Sequence, residues 1–203
     1  INIKESVVIT WVIMAILLIV CILLTRDFRT KNPGKRQVIV ETAVVWLQNL
    51  VRGMLGEEAE EYTSYLTAIL IYIGLSNVIG IFGVKPPTKD MNVTIALSLM
   101  SIVLVQIAGI KKKRVTGWMK SFAEPVAIIT PLNILELVIK PLSLCMRLFG
   151  NVLGAFVIME LIKIIIPVAV PVPFGFYFDL FDGLLQAYVF VFLTSLYIKE
   201  AVE

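Results

Sequence analysis

The sequence predicts an all-α integral membrane protein. It would have three steep transmembrane helices, one amphipathic helix on the cytoplasmic surface, and a long, tilted, membrane-embedded C-terminal helical hairpin. Three observations lead there. Of 203 residues, 59% are hydrophobic and only 16% charged, whereas soluble domains carry about a quarter charged and about half apolar residues. Mean hydropathy is +0.92. Charge-free apolar runs of 18 to 21 residues recur along the chain, and about 20 such residues cross a bilayer as a helix.

The steep spans come first. Residues 7–24, 62–82 and 93–110 are each apolar and free of charge over their whole length. The first is too long for the core of a signal peptide and runs into a basic segment rather than a cleavage site. No methionine precedes Ile1, so a few residues are expected ahead of it. The segment "RDFRTKNPGKR" (26–36) holds five bases against one acid, and "KKKRVTGWMK" (111–120) holds five against none. Positive loops stay on the cytoplasmic side, so both are expected there, with the nearly balanced "GVKPPTKDMN" (83–92) outside. The N-terminus is then outside and the C-terminus cytoplasmic.

Residues 38–56 are apolar but broken by Glu41, Gln48, Asn49 and Arg52. That pattern suits a helix lying along the cytoplasmic surface, and a crossing here would turn the next basic segment outward. The C-terminal half is expected as two hairpin helices within 124–166 and 174–200. Between them, "PVAVPVPFG" (167–175) is expected to form the turn, because prolines and glycine break helices. Residues 141–166 alone would make about 39 Å of helix, more than the ~30 Å hydrocarbon thickness, hence the tilt. All 203 residues read as one membrane domain.

Composition excludes several functions. The net charge of +3 is too small and too local for a nucleic-acid partner. There is no histidine, which removes the commonest proton shuttle and metal ligand, and no metal site or cofactor is expected. Cys21 and Cys145 lie inside apolar runs and read as small buried hydrophobes.

Polar residues inside a membrane are costly and point to function. On the first hairpin helix, Lys140, Ser143, Arg147, Asn151 and Gly154 fall near one face by their spacing, with Glu136, Glu160 and Lys163 also present. On the second, Asp179, Asp182 and Gln186 stand at i, i+3 and i+7. Bland readings compete for several of these. Glu136 and Lys140 suit an i,i+4 salt bridge, Lys163 suits snorkelling to the outer interface, and Asp179 lies near enough to the turn to be wetted from outside. Arg147 resists such a reading. Its guanidinium stays charged at any ordinary pH, and no acid stands three or four positions away. Its counter-charge is expected from outside this helix.

These motifs carry a resemblance. "KPLSLCMRLFGNVLG" (140–154) resembles the signature of subunit a of the F-type ATP synthase. "PPTKDMNVTIALSL" (86–99), "NILELVIKPLSL" (133–144), "LLQAYVFVFLTSLYI" (184–198) and the opening "ESVVITWVIMAIL" fit the same family in the same order. The resemblance implies a non-catalytic stator subunit packed against a ring of c subunits, each with one mid-membrane carboxylate, and held by the b-subunit peripheral stalk. It places the family's arginine on Arg147, its asparagine on Asn151 and its glutamine on Gln186. It also implies two offset half-channels, the outer one lined by Asp179, Asp182 and Gln186 with Asn151 and Glu160, while Glu136, Lys140 and Ser143 support the arginine. The chain departs from many members in having Phe156 nine residues beyond the arginine, where they carry a carboxylate. A bacterial plasma membrane is the expected location.

Two rival classes fit less well. A secondary transporter would show repeated halves, and none is visible. A membrane-embedded lipid enzyme would need clustered acids or a nucleophile–base pair, and the carboxylates here are scattered. No phosphate-binding Gly-x-x-x-x-Gly-Lys loop occurs, so no nucleotide chemistry is expected in this chain.

Overall fold

The computed structural model describes residues 5–26, 34–82, 86–121, 130–165 and 171–202. Among them the chain is an all-α membrane protein. Helix α1 (Glu5–Thr25) leads to α2 (Lys35–Leu55), then a 3-10 turn (Glu57–Tyr62), α3 (Thr63–Val78) with a 3-10 ending (Ile79–Phe82), and a short 3-10 turn (Pro87–Lys89). Then come α4 (Met91–Ser121) and α5 (Thr130–Ile165). Helix α6 (Pro171–Phe176), a π-helical turn (Tyr177–Asp182) and α7 (Gly183–Val202) complete the chain.

Five helical stretches are long and apolar enough to cross a membrane by length and composition. Helix α1 is the most apolar, with a mean hydropathy of 3.3 over its window. Its side chains are almost all exposed, Trp11, Leu18 and Leu23 among them, and only Ile13 is buried. A face that apolar is stable only against lipid or an apolar partner. Two polar links at one end hold α1 to the bundle: Ser6 Oγ donates to Asp90 Oδ2 at 2.6 Å, and Tyr72 OH to Thr10 Oγ1 at 3.5 Å. Helix α2 also meets the length of a span, with a mean hydropathy of only 1.3. It packs Val51 and Leu55 into the core, beside α3 and α7.

Helix α7 is central, packed against α2, α3, α4 and α5. The core that they share includes Leu66, Ile73, Leu144, Leu148, Phe190, Val191 and Ile198, all at most 1% exposed. Asp90 starts α4: its carbonyl accepts from Val93 and Thr94 N–H, and its Oδ1 accepts from Asn92 N–H at 3.0 Å.

Three local expectations change. The basic segment 111–120 is not a loop, because α4 continues through it to Ser121 with one break at Arg114 (φ 58°, ψ 163°). A side chain held there costs on the order of 1–3 kcal/mol. The proline-rich stretch is not all turn either, because helix resumes at Pro171 and contains Pro173 and Gly175. Prolines are tolerated in a first helical turn, where no N–H is needed. Residues 166–170, where a turn remains expected, lie outside the described residues, as do 122–129 of the first hairpin segment. Finally, the last helix contains a π turn. Phe176 (φ −61°, ψ −39°) and Gly183 (φ −60°, ψ −44°) keep helical backbone at both of its ends, so α6, the turn and α7 run on continuously.

Candidate functional site

The polar residues of the hairpin gather into two cavities, one towards each end of the bundle. The first holds about 190 Å³ and lies beside the 86–90 turn, room for a few waters at about 30 Å³ each. Asn77 and Gly80, Pro86 and Lys89 line one wall. Val152, Phe156 and Lys163 of α5 line another, and Asp179, Asp182 and Gln186 complete it. Both aspartates belong to the π turn, which re-aims side chains relative to a regular α-helix, and such turns are frequent at functional sites.

Two close approaches seat that turn. A Cβ added at Gly80 would stand 2.8 Å from Asp179 Oδ1, and one at Gly183 would stand 2.8 Å from Asn77 Cβ. At Gly183 the neighbour is a Cβ fixed to the α3 backbone, so any side chain there forces a shift, whereas at Gly80 it is a carboxylate that can rotate aside. Asn77 Nδ2 then donates to the Gly183 carbonyl at 2.9 Å, while its Oδ1 accepts from Thr88 Oγ1 at 2.7 Å.

The two polar stripes meet at the inner edge of this cavity. Asn151 Nδ2 of α5 donates to Gln186 Oε1 of α7 at 2.7 Å. Gln186 is 4% exposed, and its Nε2 has no hydrogen-bond partner among the described residues. A buried donor left unpaired is costly, so this atom is poised for a water or an acceptor. Lys89 Nζ lies 2.8 Å from the centre of the Phe156 ring, a cation–π contact. Glu160 pairs with Lys163 at 3.1 Å on the exposed side of α5 and does not line the cavity.

The second cavity holds about 220 Å³ at the opposite end, among Gln106 and Lys113 of α4, Asn133, Glu136 and Lys140 of α5, and Tyr197 and Glu200 of α7. Lys140 Nζ lies 2.9 Å from Glu200 Oε1 and 3.3 Å from Glu136 Oε2, so the i,i+4 bridge is present and a second carboxylate joins it. Pro141 has no N–H to donate to the carbonyl of Leu137, another lining residue.

Arg147 stands between the cavities. It is two helical turns from Lys140 and one from Asn151, exposed on α5 beside Leu142 and Met146. No hydrogen bond or ion pair to another described residue involves its guanidinium. Ser143, one turn before it, is half-buried.

Sequence reasoning brought Asn151, Asp179, Asp182 and Gln186 to one place. It also expected Glu160 there, which stands outside the cavity paired with Lys163, and it missed Asn77, Lys89 and Glu200. Glu200 had a usable signal: it follows Asp182 by eighteen residues, five full turns at about 3.6 residues each. Asn77 looked like one polar residue in an apolar span, and its role depends on a neighbour 106 residues away.

Fold and site together define a multi-pass helical membrane protein whose hairpin carries a polar cavity at each end and, between them, an arginine with no partner among the described residues. The model of the ATP synthase A chain family matches residues 7–199. ATP synthase subunit a of Moorella thermoacetica is 34% identical over 204 residues, covering all of this chain and 93% of its own length. ATP synthase subunit a 2 of a Bradyrhizobium species is 33% identical over 201 residues, covering 98% and 89%. The sodium ion specific subunit a of Propionigenium modestum is 29% identical over 213 residues, covering 97% and 73%. The chain belongs to the ATP synthase subunit a family, and with that to the membrane sector of the F-type ATP synthase.

Proposed function

We propose that this chain is the stator of an ion-driven rotary motor, with Arg147 as its fixed charge. The observation that carries the reading is the place of Arg147: exposed, unpaired within the described chain, and midway between two polar cavities. A permanent cation on an apolar face needs an anion from another chain. A mid-membrane carboxylate of a c-subunit ring supplies one.

The chemistry follows. A ring carboxylate passes through lipid only when neutral, because its ionised form is too costly there. Opposite Arg147 it is favoured as the anion, so it gives up its ion on approach and reloads on departure. The first cavity is the inlet from outside, through Asp179 and Asp182 to the Asn151–Gln186 pair, with Lys163 on its wall and Glu160 paired to Lys163 outside it. The second is the outlet to the cytoplasm, with Glu136, Lys140 and Ser143 on its α5 wall. Each charge that crosses is worth about 2.3 kcal/mol per 100 mV, and that work turns the ring only if ions cannot slip past Arg147.

The remaining assignments complete the reading. The whole chain is one membrane domain in a bacterial plasma membrane, N-terminus outside, with α2 along the cytoplasmic surface and the b-subunit stalk holding it against rotation. It has no catalytic site and no cofactor of its own.

The test is proximity. With a cysteine at Met146→Cys, on the exposed face beside Arg147, and another next to the ring carboxylate, oxidation of the assembled complex should give an a–c disulfide. Cross-links to the ring from α1 alone, with none from α5, would overturn the assignment.

A further inference from the structure

Arg147 guards only the exposed face of α5. Behind it the interior must also be sealed, and the sealing is not obvious from the residues present. Twelve residues separate Lys140 from Val152, the α5 edges of the two cavities, and eleven separate Gln186 from Tyr197 on α7. At about 1.5 Å per residue those gaps are roughly 18 and 16 Å.

The same interval holds a row of buried hydroxyls: Thr94, Ser98 and Ser101 on α4, Thr194 and Ser195 on α7. Four of them donate to carbonyls of their own helices: Thr94 to Met91, Ser98 to Ile95, Thr194 to Phe190 and Ser195 to Phe192, at 2.7–3.0 Å. Each oxygen still has acceptor capacity, and Thr94 Oγ1 also lies 3.5 Å from Cys145 Sγ. Ser101 Oγ has no hydrogen-bond partner among the described residues. A water needs about 30 Å³ and two to four polar partners. Here the partners exist and only the space is missing.

The same interval of α5 and α7 carries Leu144, Leu148 and Phe190, all at most 1% exposed and all in one core cluster. Phe190 is the largest fully buried side chain among the described residues, and its own carbonyl is the acceptor for Thr194. We infer that Leu144, Leu148 and Phe190 form an apolar plug that keeps the two cavities from joining through the interior, a second insulator behind Arg147. The inference rests on the two-path reading above. The three residues touch no ion; they act by excluding the water that would otherwise wire the cavities together.

The test uses the whole ATP synthase in proteoliposomes, with the ring carboxylates blocked by a carbodiimide so that the ring carries nothing. In Phe190→Ala an imposed proton gradient should collapse severalfold faster than in wild type, while Phe190→Leu should stay near wild type. A second readout needs no change to the plug. Cys145, 3% exposed in this same interval, becomes the only thiol of the chain in Cys21→Ser. It should be inert to a small water-soluble thiol reagent from both sides until the protein is denatured. A Cys145 that reacts in the native complex means the interval is wet, and overturns the plug whether or not Phe190→Ala assembles. So does an assembled Phe190→Ala as tight as wild type. Either result, with coupling still dependent on Arg147, removes the plug alone; coupling that survives Arg147→Ala removes the two-path reading beneath it.

Discussion

At the residue scale, the Asn151–Gln186 hydrogen bond links the two polar stripes directly. Its members stand 35 residues apart, so the sequence reveals each stripe by its spacing but not that they touch. If the pair acts as a unit, Asn151→Leu and Gln186→Leu should each lower ATP synthesis, and the double variant should lose little more than either single one. Coupled pairs of this kind show about 0.5–3 kcal/mol of non-additivity. Strictly additive losses would separate their roles. Asp179→Asn keeps the shape of the side chain and removes its ability to bind and release a proton. Synthesis driven by an imposed gradient should fall in that variant while copurification with the ring is unchanged. A normal rate would reduce Asp179 to a wetted residue at the cavity rim. The arginine itself was legible in the sequence because a cation in an apolar run has no local explanation. Glu200 was not singled out because it stands at the exposed end of a span, where acids are common.

Among the elements, apolar length made the long helices α1, α4, α5 and the last helix readable, since the bilayer sets how long an apolar run must be. The expected span 62–82 instead holds a 16-residue α3 with 3-10 ends and is not among the five candidate spans, whereas α2, expected on the surface, is. The π turn was not readable, because nothing in "YFDLFD" distinguishes it from α-helix. It is held by the close approach of Gly80 and Gly183 to residues far away in sequence. The helix restart at Pro171 was hidden for the opposite reason. A proline that stops a helix and one that begins it look alike until the backbone direction is known. The same contacts give a prediction. In Gly183→Ala the new methyl group would meet Asn77 Cβ at 2.8 Å. Overpacking of that kind costs about 1–3 kcal/mol, so the π turn must shift and the Asn77 bond to the Gly183 carbonyl weaken. A lower yield of assembled complex, or assembled complex with slowed synthesis, is expected. Wild-type yield and rate would mean that α3 yields at no cost.

For the whole molecule, orientation is the property that sequence argues and contacts within one chain leave open. On the orientation proposed above, charge bias would put the basic end of α4 in the cytoplasm. A cysteine at Lys112→Cys should therefore react with an impermeant reagent only from the cytoplasmic face of membrane vesicles; labelling only from the other face would invert both cavities. The exposed apolar sides of α1, α5 and α7 require lipid or partner subunits around them, so the isolated chain is expected to aggregate without detergent. What unites residue, hairpin and complex is the charge at position 147. The most direct measurement is ATP synthesis by Arg147→Ala in the assembled complex, in vesicles with an imposed ion gradient and with ring copurification as the check on assembly. We predict that the variant assembles and that synthesis is abolished. Near-normal synthesis would contradict the stator role, and would leave Arg147 a packing residue.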